Sequence, residues 1–183
     1  MTREEAFKIV EENLGNKNLI KHSLAVEAVM KAFGEYFNEN SEKWALAGLL
    51  HDIDYEQTAN DPQSHTLITV KILEEKEVDK EIIDIIKAHN HMLDIPRDSK
   101  ARKLIISIDP ITGLIVACAL IHPDKKLASI DTQFVLNRFK EKSFAAGANR
   151  EDIKKCEELD ISLDKFVEIS LKSMQNISQE LGL

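Results

Sequence analysis

The sequence is short of the residues that punctuate or clamp a chain. Six glycines and four prolines in 183 residues are too few for the many tight turns of a multi-stranded β protein. The two cysteines, Cys118 and Cys156, stand apart with no CxxC pair. That argues against a disulfide frame or a thiolate zinc site and leaves two buried thiols in a reducing compartment as the expectation. Basic residues are outnumbered, 24 Lys and Arg against 32 Asp and Glu, for a formal net charge of −8. Polyanions are repelled at long range by such a balance, so no broad nucleic-acid surface is expected, although a local basic pocket for a small phosphorylated molecule is not excluded. Long apolar runs are missing too. The longest, around Leu114 to Ile121, falls short of the roughly 20 residues that span a bilayer, and no membrane partner is expected. The opening MTREEAFKIV carries acids where a secretory signal would be apolar, so the expected setting is cytoplasmic.

What is present is helical patterning from end to end. Thr2 and Glu5 have capping-box spacing, followed by Phe7, Val10 and Leu14 on one face. Leu19, His22, Val26, Val29, Phe33 and Phe37 form a second stripe, and Ser41 is placed to cap a third helix bearing Trp44, Ala47 and His51. Asp61-Pro62 pairs a capping residue with a helix-starting proline ahead of His65, Ile68 and Ile72. Asp79 precedes Ile82, Ile86 and His89, while Asp109-Pro110 follows an apolar stretch, Leu104 to Ile108, and would open a helix through Ile111, Leu114 and Cys118. Residues 123–150 are polar and basic with scattered phenylalanines. Helix starts follow at Asn149 and Ser162. The fold class is all-α, with residues 1–122 as one helical domain and 123–183 packed on it within one globular unit.

The histidines sit where leucines belong. His22, His51, His65 and His89 each take the inward position of an apolar stripe. One such histidine is usually a satisfied core residue, but four together are unfavourable to bury unless they share a partner. A metal ion is the simplest shared partner, since neutral imidazole is its commonest ligand. Asp52 follows His51 directly, and adjacent residues on a helix diverge by about 100°, so both reach one ion only at a helix end; Asp54-Tyr55 supplies that end. Asp109 adds a carboxylate, though Asp109-Pro110 alone reads equally as a helix cap. Mixed imidazole and carboxylate donors suit Mn, Fe, Co or Ni, with Mg also possible, as one or two ions.

The order His22, His51-Asp52, Asp109, with the runs LLHDID and SIDPITGLIVACAL, resembles the signature of the HD superfamily of metal-dependent phosphohydrolases. IHPDKKLASI and KEKSFAAGANRE are similar to stretches of small stand-alone members, so the likeness covers most of the chain. It implies an HD-type helical bundle with a C-terminal helical extension, hydrolysis of a phosphate ester on a nucleotide, and metal ligation by His22, His51, Asp52 and Asp109. In members with two metals, histidines between the His-Asp pair and the last aspartate bind the second ion. His65 and His89 fall there, with His91 in reserve because it lies two residues along. No Gly-Tyr-Pro follows His91, and Tyr55 stands three residues after Asp52 where some nucleotidase members have Glu, Glu56 coming one later. A non-catalytic regulatory domain that binds a nucleotide or metal is the alternative.

In this reading Asp52 is the catalytic residue, both ligating and orienting the attacking water. Arg150 and Lys142, from the basic segment, would bind the substrate phosphate, Arg150 through a bidentate guanidinium; the same charge run also reads as a solvated face. His122, before Pro123, reads as a turn residue.

Overall fold

In the computed structural model, which describes all 183 residues, eleven α-helices and two short 3-10 turns follow one another with no strand. The helices are α1 (Arg3–Asn13), α2 (Lys17–Tyr36), α3 (Ser41–Leu50), α4 (Tyr55–Thr58), α5 (Leu67–Glu75), α6 (Lys80–His89), α7 (Lys100–Ile121), α8 (Thr132–Phe139), α9 (Arg150–Lys154), α10 (Leu163–Asn176) and α11 (Ser178–Leu181). Local chemistry sets most of their starts. Thr2 and Glu5 form the capping box of α1, and Asp79, Asn149 and Ser162 cap α6, α9 and α10 through their side chains. The cap of α3 is Asn40, whose side chain accepts from the Lys43 amide, one residue before the expected Ser41.

Two expected helix starts are absent. Residues 61–66 are a chain of turns, with Ser64 bonded to Asp61 and Thr66 in the left-handed region, and α5 begins only at Leu67. His65 therefore sits on a loop. Nor does Asp109-Pro110 open a helix, because α7 starts ten residues earlier behind Ser99 and runs through Pro110 without a break. An internal proline removes a backbone hydrogen bond at about 3 kcal/mol. The opposing term is larger: Leu104, Ile105, Ile108, Ile111, Leu114 and Ile115 of this helix are fully buried, each favourable by roughly 1.5–3 kcal/mol.

The helix α7 is the centre of the molecule. At 22 residues it is long and apolar enough to cross a membrane by length and composition, contrary to the shorter run read from the sequence, but most of its apolar stretch is covered by protein. The helices α2, α6, α8, α9 and α10 pack around it, and α3 lies against α2 and α6. At Gly48 the α2–α3 contact is so close that a β-carbon would stand 2.8 Å from the Val26 carbonyl oxygen. A single apolar core runs from Ala6 to Leu181 and takes in Phe166, Leu171 and Met174 of α10. Cys118 and Cys156 are buried in it as free thiols, and burial pushes them up to about 11 and about 12.

Candidate metal centre

The fold brings six dispersed side chains to one point. His22 comes from the first half of α2, His51 caps the C-terminus of α3, and Asp52 stands in the turn that follows. His65 is on the loop before α5, His89 is the last residue of α6, and Asp109 lies mid-way along α7. The α3 helix ends at Leu50, which lets His51 and the adjacent Asp52 turn to the same side.

Carboxylates and imidazoles alternate around the centre. Asp109 places one oxygen 2.9 Å from His22 Nε2 and the other 3.3 Å from His89 Nε2. Asp52 points Oδ2 at His51 Nε2, 3.4 Å away, and at His22, 3.7 Å away, while its Oδ1 is 3.3 Å from His65 Nε2. The rings of His51 and His89 are 4.9 Å apart, and those of His65 and His89 are 5.0 Å apart.

Three of the four histidines are held from behind. His51 Nδ1 is 2.7 Å from the Gly48 carbonyl. A carbonyl only accepts, so Nδ1 carries the hydrogen and Nε2 faces the centre with its lone pair. Asp54 does the same for His65, with Oδ1 at 2.9 Å from Nδ1, and its own Oδ2 accepts from the Thr69 amide. The Thr112 hydroxyl donates to the Asp109 carbonyl and can accept from His22 Nδ1 at 3.3 Å. Asp54 and Thr112 were not singled out in the sequence as site residues. The sequence signal for Asp54 is its place in the run His51-Asp52-Ile53-Asp54, where it also reads as the end of a helix.

The electrostatics follow this interleaving. Burial lowers the His51 pKa to about 4, against the pull of Asp52, so it is neutral. Burial also opposes a charge on His65, but Asp52 and Asp54 outweigh it and raise the pKa to about 9. For His22 the same opposition from burial is overcome by Asp109 and Asp52. Burial resists ionisation of Asp52 and Asp109, yet the surrounding imidazoles hold both below the ordinary carboxylate range.

Buried His51 Nε2, Asp52 Oδ1 and His89 Nδ1 have no hydrogen-bond partner. Such orphans are unfavourable unless something else meets them. Donor atoms of His22, His51 and Asp109, and of His51, Asp52 and His89, lie within 4.8 Å of one another in each set. That is compact enough for ligands at roughly 2.0–2.3 Å from an ion, so these groups can hold a divalent metal.

The remaining expected residues lie elsewhere. His91 is half-exposed and pairs loosely with Asp152 at 3.4 Å. Glu56 is occupied at a distance, accepting from the Gly15 and Asn16 amides. His122 ends α7 and accepts from the Asp124 amide, as a turn residue. Lys142 is exposed on the loop after α8. Arg150 is not free to grip phosphate: its guanidinium donates to the carbonyls of Phe139, Glu141, Phe144, Ala145 and Ala148. A guanidinium has five donors, and the loop takes them.

Two clefts flank the centre. One, of about 490 Å³, is walled by Leu19, Tyr55, Pro62 and Met92 with the histidines at its base. The other, of about 360 Å³, lies between His22, Asp109 and Gly113 on one side and Ala145, Gly147 and Ala148 on the other.

Comparison with known proteins agrees with this geometry. No solved structure matches the chain. A curated relative, Ribonuclease Y of Mesoplasma florum, is 28% identical over 101 residues, 53% of this chain and 19% of the relative. The chain thus matches about a fifth of that relative's length. The family model for the HD domain matches residues 19–122, more than half of the chain. Those residues hold all six converging side chains, and the chain belongs to the HD-domain family.

Proposed function

We propose that this protein is a metal-dependent phosphohydrolase acting on a phosphate ester, a phosphomonoester or phosphodiester of nucleotide type. The observation that carries the reading is the ring of four histidines interleaved with two ionised aspartates, in which buried His51 Nε2, Asp52 Oδ1 and His89 Nδ1 have no hydrogen-bond partner. The name of the Ribonuclease Y relative points to phosphodiester chemistry as well. A net charge of −8 favours a small substrate over a long polyanion. Buried free thiols suit a cytoplasmic setting.

In this reading His22, His51, Asp52 and Asp109 would hold one ion, and His65 and His89, beside Asp52, would hold a second. Mn, Fe, Co or Ni fits the mixed donor set, with Mg a harder alternative. A bound ion of this kind supplies an acidified water and charge for phosphate oxygens. The chain's own residues do the rest. Asp52 stays ionised across neutral pH and orients the water through a carboxylate oxygen. The shell behind the rings, Gly48, Asp54 and Thr112, keeps Nε2 of His51, His65 and His22 aimed inward. Tyr55 and Met92, both exposed at the mouth, offer apolar faces to the organic part of the substrate. Lys142, exposed on the loop after α8, is the basic-segment cation this reading assigns to phosphate, although it lines neither cleft.

The non-catalytic regulatory reading has one observation in its favour: no Lys or Arg lines either cleft. The deciding experiment is a screen of nucleotides, dinucleotides and generic phosphoesters with Mn, Fe, Co, Ni and Mg supplied in turn. Turnover that disappears in Asp52→Ala supports the hydrolase. Metal and nucleotide binding with no turnover under any ion transfers the reading to the regulator.

A further inference from the structure

The stretch SFAAGANR does none of the work assigned so far, yet it borders the centre. Ala145, Gly147 and Ala148 form the wall of the smaller cleft facing His22 and Asp109. Behind that wall the Arg150 guanidinium binds the carbonyls at 139, 141, 144, 145 and 148, the closest pair being Nη2 and the Phe144 oxygen at 2.5 Å. Its plane also lies over the Phe139 ring. Five carbonyls drawn to one cation leave the opposite groups of the same loop unsatisfied. The amides of Ala145, Ala146 and Gly147 make no hydrogen bond within the protein, and Ala145 is held in the left-handed region at φ 44°. Consecutive free amides are suited to receiving an anion, and the cleft has no side-chain cation to compete for it.

We propose that residues 144–148 are the phosphate-receiving rim of the centre, and that Arg150 shapes this rim without touching the substrate. The proposal rests on the phosphohydrolase reading and adds what that reading lacks, a set of neutral donors for the phosphate oxygens that face away from the aspartates. Arg150 is thus a positioning residue. Its role depends on the planar five-donor fork, which Lys cannot reproduce even though it keeps the charge.

The test uses the full chain loaded with Mn2+ and titrated with inorganic phosphate in a calorimeter, with Mn2+ uptake measured separately. Arg150→Lys and Arg150→Gln should both weaken phosphate binding by at least about tenfold, the loss of a hydrogen bond or two, with Mn2+ uptake unchanged. Gly147→Leu leaves Arg150 intact and should weaken phosphate in the same way. A β-carbon there meets no atom within 4 Å, so Leu adds bulk without a clash at a residue that lines the cleft. This variant decides the matter should the Arg150 variants prove unstable. Phosphate affinity equal to wild type in Gly147→Leu overturns the rim, as does affinity restored in Arg150→Lys, which would return the effect to charge alone. Mn2+ uptake without phosphate uptake in the wild type overturns the rim while sparing the metal centre. A wild type that takes up no Mn2+ overturns both.

Discussion

Asp54 stands directly behind His65, one oxygen 2.9 Å from Nδ1 and the other on the Thr69 amide, with its side chain closed off from solvent. The pair fixes which nitrogen of His65 faces Asp52. Asp54→Ala should lower metal affinity by about 10–100-fold, the usual effect of losing such a partner, and Asp54→Asn should fall between. Metal titration of the two variants measures this. Affinity at the wild-type value in both would remove His65 from the ligand set.

Asp52→Ala should abolish phosphoester turnover while leaving the helical circular-dichroism spectrum intact, because the core is built by Leu, Ile, Val and Phe far beyond the centre. The metal-free variant should also lose stability, by about 1–3 kcal/mol, as buried imidazoles lose their shared acceptor. Mutual repulsion of clustered carboxylates would predict a gain, but each carboxylate here is flanked by histidines. The sign follows from linkage: Asp52 titrates below its ordinary value in the folded state. Its contribution is therefore present above the unfolded carboxylate range and is lost only as pH falls through the folded value. Thermal melts at neutral pH in chelator measure the loss.

Metal uptake should release protons. His65 is raised to about 9 and His22 is also raised, whereas His51 is already neutral. At pH 7.5 an ion must displace at least one proton from His65, so affinity should climb as pH rises from about 6.5 toward 9, by up to about tenfold per unit per proton. Stability of the metal-free protein runs the other way. The His65 contribution is complete below its unfolded value near 6.5 and disappears as pH rises through 9. Calorimetry in two buffers of different ionisation enthalpy counts the protons, and no buffer dependence would refute the assignment.

His89→Ala should reduce the number of ions bound, while His91→Ala should leave it unchanged, since His89 is buried beside His51 and His91 is half-exposed beside Asp152. Metal analysis after dialysis distinguishes them. Equal losses would show that the loop carrying His91 closes on the centre.

Gly48→Ala should destabilise the fold by about 1–3 kcal/mol, as expected of overpacking, because its β-carbon meets backbone atoms of Val26 and Glu27 that cannot give way. The same strain shifts the carbonyl that orients His51, so metal affinity should drop with it. Denaturant melts and metal titration read the two effects together.

His22, His51 and His89 were legible as polar residues at apolar helical phases; Asp52 and Asp109 were legible through their place beside His51 and after an apolar run together with the family resemblance, and His65 through a helix that the structure replaces with a loop. What surrounds them was not. Asp61-Pro62 has good local helix-start chemistry, but Asn90 reaches across to the carbonyls of Pro62 and His65 and holds that stretch as turns. Asp109-Pro110 misled for the opposite reason, since long-range burial along α7 overrides the proline. Arg150 looks like a phosphate residue in any one-dimensional reading, and only the folded loop shows five carbonyls closing around it.

The six side chains occupy positions from 22 to 109 on α2, α6, α7, the C-cap of α3 and two connecting loops. An ion held by them closes several long chain loops at one point, which makes it a reversible cross-link. Cross-links of this kind act on the unfolded ensemble, removing entropy that grows with the length of chain enclosed. Metal supply would then govern how often these helices part from one another, and with it the time the chain spends open to proteolysis.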